Sequence, residues 1–233
     1  MKTLSVLGPL AMGLGALVWM GCSSPSGGAT SPYGTASPDS SADAGATGIG
    51  DGEGGATGSP TVGALSSREV ESLTFTREEE KLARDVYGAL SAKDPLFSNI
   101  GKSEQTHMDA IATLLTRYGL PDPVGTNGPG KFSNATLQAL YDALVAEGAR
   151  SNLSALAVGV EIEELDIFDI ELAKKDVTHA DVLATYDTLT RGSRNHLRSF
   201  YGKLVAAGGS YTPKHLDAAS FKAIVDSAME RGP

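Results

Sequence analysis

The chain has 233 residues, a formal charge of −9 and a single cysteine. That balance disfavours nucleic acid as a partner, and one cysteine excludes an internal disulfide framework. No Gly-x-x-x-x-Gly-Lys-Ser/Thr, Gly-x-Ser-x-Gly or Cys-x-x-Cys pattern occurs, so nucleotide-phosphate, serine-hydrolase and dithiol chemistries have no anchor.

Met1-Lys2 precedes an uncharged apolar run from Leu4 to Met20 that ends at Gly21-Cys22. This is the pattern of an export signal, residues 1–22, with an apolar stretch too short to span a membrane in the mature protein. A cysteine behind a glycine, followed by Ser23-Ser24-Pro25, resembles a bacterial lipoprotein signal, although Trp19-Met20 depart from its usual residues. The resemblance makes Cys22 the lipidated first residue of an exported, membrane-anchored protein at the cell envelope; plain secretion is the alternative. Residues 23–67 are Gly, Ser, Ala, Thr and Pro with four acids, no Lys or Arg before Arg68, and Tyr33 as the only aromatic. They cannot bury a core and read as a disordered linker. Residues 68–233 then form one domain of ordinary size.

Within that domain every periodic stretch has helical spacing. Arg68 to Leu73 reads as a short lead-in, and Thr76-Arg77-Glu78-Glu79 as a capping box opening the first helix, with Glu79 reaching back to Thr76. Glu80 shares a side with Ala83, Tyr87 and Leu90, and its spacing fits either a solvated first-turn acid or a buried role. The helix ends before Asp94-Pro95. A second runs from about Ser98 to Tyr118, where Gly119-Leu120-Pro121 stops it, and the short loop between the two predicts antiparallel packing.

On this second helix Ile100, Glu104, His107, Met108, Ile111, Leu114, Leu115 and Tyr118 recur as one buried face. A buried glutamate and histidine three residues apart need either mutual hydrogen bonds or a metal ion. Asp122 to Lys131 is a Gly- and Pro-rich surface crossover, followed by a smaller helix from Ala135 to Glu147, capped by Ser133 or Asn134 and ended by Gly148.

The next helix, Asn152 to Lys174, is apolar on nearly every side yet carries Glu161, Glu163, Glu164, Asp166 and Asp169. At least one acid must face inward, and spacing does not say which. Thr178 and Asp181 form a capping pattern for a helix reaching Ala207, on which His196 sits on the core face and Gly192 marks a kink or a close neighbour. His179 and His215 read as surface residues. A last helix, Ala218 to Glu230, caps the bundle.

Two antiparallel helices, a long crossover with its own helix, and two more helices make an all-α, ferritin-like four-helix bundle with an extra crossover helix and a C-terminal helix. Four motifs then occur in order: Glu78-Glu79-Glu80-Lys81-Leu82-Ala83-Arg84-Asp85-Val86-Tyr87, Ser103-Glu104-Gln105-x-His107-Met108, Ile162-Glu163-Glu164-x-Asp166-Ile167 and Gly192-Ser193-x-Asn195-His196-Leu197-Arg198. Over about residues 68–216 the chain resembles a bacterial and archaeal ferritin-like family known only as a domain of unknown function (family 2202).

Carried over by position, that resemblance implies that Glu80, Glu104, His107, Glu164 and His196 ligate a metal, with Glu163, Tyr87 and Ser193 as further ligands or supporting residues. Iron is the metal implied, with manganese or zinc suited to the same donors. One departure is Ser193, which stands three residues before His196 where a di-iron pattern wants a second Glu-x-x-His. The implied function is non-haem metal binding at the cell envelope, with redox chemistry on dioxygen or peroxide. The alternative is a metal-free helical module, tethered to the membrane, that binds another protein.

Overall fold

The computed structural model describes residues 63–232. The expected signal, the lipidation site Cys22 and nearly all of the expected linker lie outside these residues. Every regular element among the described residues is helical: α1 (Ser67–Leu90), α2 (Pro95–Arg117), α3 (Ala135–Ala149), α4 (Asn152–Ala173), a 3-10 turn (Lys174–Asp176), α5 (Ala180–Ala206) and α6 (Ala218–Val225). None of these helices is long and apolar enough to cross a membrane.

Helix α1 lies along α2, and α4 along α5; α1 against α4 and α2 against α5 close a four-helix bundle. The crossover helix α3 covers α1 and α4, and α6 caps α5. The expected architecture is therefore present.

Two apolar clusters fill the bundle. One gathers Leu82, Val86, Tyr87, Phe97, Leu156, Val160, Leu197 and Phe200. The other gathers Leu73, Ile111, Leu115, Ile170, Val182, Tyr186 and Leu189. Between them each of the four long helices contributes buried or half-buried polar side chains: Glu79 and Glu80, Glu104 and His107, Glu163, Asp166 and Asp169, and Ser193 and His196. Charged groups are almost never fully buried unless paired or ligated, so this polar layer is the feature the fold must account for.

Several local expectations are corrected. The first helix begins nine residues earlier than its Thr76 signal: Ser66 is the N-cap and forms the capping box with Glu69, leaving Thr76 and Glu79 buried in the helix interior. Two identical Ser/Thr-x-x-Glu signals stand ten residues apart, and long-range bonds decide between them. Glu69 Oε2 accepts the Ser66 N–H, while its Oε1 accepts the N–H groups of Thr178 and His179. One carboxylate thus closes the start of α1 and the approach to α5. His179 takes the N-cap position of α5 in place of Thr178, and its ring pairs with Glu69 at 2.8 Å, so it is not a free surface residue. Asp181, expected in a capping pattern with Thr178, accepts from Arg117 and the Tyr118 hydroxyl. Gly148 does not end α3, which runs to Ala149; a Cβ there would meet Leu90 Cδ1 at 2.5 Å, so the glycine allows close packing. The C-terminal helix stops at Val225.

The crossover is tied to α1 by buried charges. Arg77 grips Asp122 and the Met108 carbonyl, Glu78 accepts the N–H groups of Ser133 and Asn134, and Lys81 bonds Asp85 and the Gly128 carbonyl. This satisfies one polar side of α1 away from the central layer.

Glu69 gives the fold a pH dependence. Burial pushes its carboxyl up, but the His179 ring and the N–H groups of Thr178, Ser66 and His179 outweigh it and hold the group well below the usual carboxylate range. The His179 ring is raised chiefly by its hydrogen bond to Glu69. The carboxylate contribution is present above its unfolded pKa and lost as pH falls through the depressed folded value; the imidazolium contribution is present below its unfolded pKa and lost as pH rises through the raised one. Denaturant melts of Glu69→Gln should therefore show the largest deficit against wild type between about pH 5 and 6.5, on the order of 1 kcal/mol for the lost cap, shrinking on both sides. A deficit that does not vary with pH would refute the assignment.

Candidate metal centre

The polar layer is built from four helices. Glu80 comes from α1, Glu104 and His107 from α2, Glu163 from α4 and His196 from α5. Residues three apart stack on one helix face, which is why Glu104 and His107 arrive together. Their atoms form two three-residue groups, Glu80 with Glu104 and His107, and Glu104 with Glu163 and His196; within each, the ligand atoms lie within 4.8 Å of one another.

Glu104 belongs to both groups. Its Oε2 is 2.8 Å from His107 Nδ1 and its Oε1 is 2.8 Å from His196 Nδ1. Glu80 Oε2 lies 3.2 Å from His107 Nδ1, and Glu163 Oε2 lies 3.4 Å from His196 Nδ1. The two imidazoles stack with centroids 5.6 Å apart. His196 Nδ1 and Glu104 Oε1 lie 2.8 Å apart without hydrogen-bond geometry. Glu80 Oε1 is also buried without a partner.

The carboxylates are 1–2% exposed, whereas the two histidine side chains reach 9% and 12%. Solvent therefore meets the layer at its imidazoles, on the side where α2 faces α5. Gly192 makes room there: a Cβ on it would lie 2.6 Å from His107 Nε2. Of the two roles open to this glycine from sequence, the close neighbour is the one present.

The protonation pattern follows from burial and mutual charge. Burial raises the Glu80 carboxyl, His107 opposes and Glu104 adds, and the group ends above its ordinary range. Burial would raise Glu104 too, but His196 and His107 together outweigh it and depress this carboxyl. Burial disfavours charge on His107, yet Glu80 and Glu104 push it well upward; Glu163 and Glu104 do the same for His196. Without a metal ion, protons on the two imidazoles supply the positive charge that the acids require.

Around these groups, the buried Tyr87 hydroxyl donates to Glu163 Oε1, and the Ser193 hydroxyl donates to Asp166 Oδ2. Tyr87 and Ser193, which the resemblance implied as further ligands or supporting residues, thus each bond an acid of α4.

Glu164 does not join the cluster. Although 0% exposed, its carboxylate accepts the Tyr211 hydroxyl and the N–H groups of Lys214, His215 and Leu216. Neighbours on a helix point about 100° apart, so Glu163 reaches the histidine and Glu164 holds the segment leading to α6. Glu164, implied as a ligand by the resemblance, thus lies outside both three-residue groups, and Glu163 is the α4 acid within one of them.

Sequence reasoning gave Glu79 to a cap, and left Asp166 and Asp169 undistinguished among the α4 acids of which at least one must face inward. Both Glu79 carboxyl oxygens and Asp169 Oδ1 are buried without a hydrogen-bond partner, and burial followed by Asp169 and Asp166 holds the Glu79 carboxyl well above its usual range. The three-residue rhythm Glu163, Asp166, Asp169 repeats on α4 the spacing of Glu104 and His107, but Glu161 and Glu164 stand three apart as well, so spacing alone does not single the layer out. His215, expected at the surface, has its Nε2 buried without a hydrogen-bond partner.

A family model described as an uncharacterized protein domain (DUF2202) matches residues 69–228. The uncharacterized protein MJ0754 of Methanocaldococcus jannaschii is 45% identical over 170 residues, which cover 72% of this chain and 92% of the relative. The crystal structure of hypothetical protein MJ0754 from Methanococcus jannaschii matches with a TM-score of 0.71 at 43% identity, covering 74% of this chain and all of that one.

Proposed function

The chain belongs to this family of the uncharacterized domain (DUF2202), and from that premise we propose that it is a ferritin-like, non-haem metal-binding protein with positions for two first-row cations, iron foremost. The observation that carries the reading is Glu104, whose two oxygens lie 2.8 Å from the Nδ1 atoms of two different histidines.

The donor set fits. Carboxylate and imidazole without thiolate suit iron, manganese or zinc. For bonds of about 2.1 Å at right angles, ligand atoms stand about 3.0 Å apart, and the spacings here run from 2.8 to 3.4 Å. Glu80, Glu104 and His107 would hold one ion, and Glu104, Glu163 and His196 the other.

A bound redox-active ion would supply electron exchange with dioxygen or peroxide. The chain's own contributions are structural and electrostatic. Tyr87 fixes the Glu163 carboxylate by its hydrogen bond. Two apolar clusters close the layer above and below, leaving the imidazole side as the approach. The expected anchor at Cys22 adds the cell envelope to this reading.

Metal analysis of protein purified without added metal, followed by anaerobic loading with Fe(II), Mn(II) or Zn(II), tests the proposal. Up to two ions per chain are expected, with a melting temperature that falls when a chelator removes them. Protein that takes up no ion and melts identically with and without chelator would defeat it. The imidazolium–carboxylate pairs would then hold the layer by themselves, leaving the helical protein-binding module.

A further inference from the structure

His107 is the ligand candidate whose ring edge is set against a bare backbone. Its Nδ1 lies 2.8 Å from Glu104 Oε2 and 3.2 Å from Glu80 Oε2, and the hydrogen bonds and ion pairs of the ring among the described residues all fall on that nitrogen. The opposite edge faces Gly192 of α5. A Cβ there would stand 2.6 Å from Nε2 and 2.7 Å from Cε1, and the three nearest atoms it would meet all belong to this ring.

A ligating histidine ordinarily ties its second nitrogen to a carboxylate, a carbonyl or water, and that bond orients the ring. Here the second nitrogen is turned to a glycine. Non-bonded atoms settle about 3.5–4.0 Å apart, so even a methyl group at Gly192 would have to push the ring by about 1 Å, whereas metal–ligand distances hold to within about 0.2 Å. The geometry points to Gly192 as a positioning residue of the centre, acting through His107: its missing side chain is the seat of the imidazole edge. With that seat filled, Nδ1 is displaced from the ion it shares with Glu80 and Glu104. The inference rests on the metal reading above. The ion of Glu104, Glu163 and His196 does not depend on the seat, because His107 is not among its ligands.

Anaerobic Fe(II) and Mn(II) titrations of the full chain, paired with melts in chelator, test this. Gly202, also on α5, supplies the control, because a Cβ on it would meet nothing within 4 Å. Wild type and Gly202→Ala should each bind two ions. Gly192→Ala should keep one ion at wild-type affinity and bind the other at least tenfold more weakly. In a His107→Ala background the ring is gone, and there Gly192→Ala should leave the remaining ion's affinity unchanged and the melting temperature no lower, since alanine favours a helix over glycine. Two ions bound by Gly192→Ala at wild-type affinity would overturn the role of Gly192 alone. So would a loss of both ions, or a loss that persists once the His107 ring has been removed. Wild type that binds no ion would overturn the metal reading and this assignment together.

Discussion

Glu104→Gln should empty both metal positions at once, whereas Glu80→Gln and Glu163→Gln should each spare one. Glu104 is the only side chain shared by the two ligand groups, and an amide keeps its volume while losing the charge and one acceptor. An ion present at a thousand times its dissociation constant stabilises the folded chain by about 4 kcal/mol, and in a domain of this size each kcal/mol moves the midpoint by roughly 2–4 °C. Loaded wild type should therefore melt on the order of 10 °C or more above its chelated form, and Glu104→Gln should show almost no such gap. The chelated variant loses stability too. In the metal-free protein Glu104 is a carboxylate depressed by His196 and His107, so its contribution is present above its unfolded pKa and fades as pH falls through the depressed folded one. A chelator-dependent gap of wild-type size in Glu104→Gln, measured by calorimetry beside metal content, would refute the shared-ligand arrangement.

How far the sequence could be read depended on whether a residue's partner was local. Glu104 and His107 were legible because α2 has one apolar face and both residues interrupt it. Helix α4 has no such face: it is apolar almost all round, with buried residues from Ala155 to Ala173, so nothing in its spacing separates Glu163 from Glu164. The information that separates them lies about fifty residues away, in the Tyr211–Leu216 segment that folds back to occupy Glu164. The start of α1 failed in the same manner. Ser66 with Glu69 and Thr76 with Glu79 are equivalent as local signals, and the N–H groups of Thr178 and His179, more than a hundred residues on, select the first. Glu79, freed from a cap, is then carried into the polar layer. Helix order and the antiparallel pairing were legible because they follow from periodicity and loop length alone.

That displacement on α4 gives the second large effect, on stability and not on metal. Glu164→Ala should lower the melting temperature by roughly 10 °C, in chelator as in metal, while leaving metal content unchanged; Glu163→Gln should lose one ion and change the melting temperature in chelator far less. Glu164 is fully buried and accepts from one hydroxyl and three backbone N–H groups at 2.6–3.1 Å. Each hydrogen bond to a charged acceptor contributes about 1.5–3 kcal/mol, but the freed segment can reach water, so the loss should stop at about 3–5 kcal/mol. The damage should spread to α6, because Tyr211 stacks on Phe221 with ring centroids 5.7 Å apart, and Phe221 is the residue α6 buries. Hydrogen exchange in Glu164→Ala should rise first across residues 211–225, ahead of the four long helices. Should Glu164→Ala instead lose a metal ion with its melting temperature in chelator unchanged, the ligand on α4 would be Glu164 after all, and the Glu163 position would have to be given up.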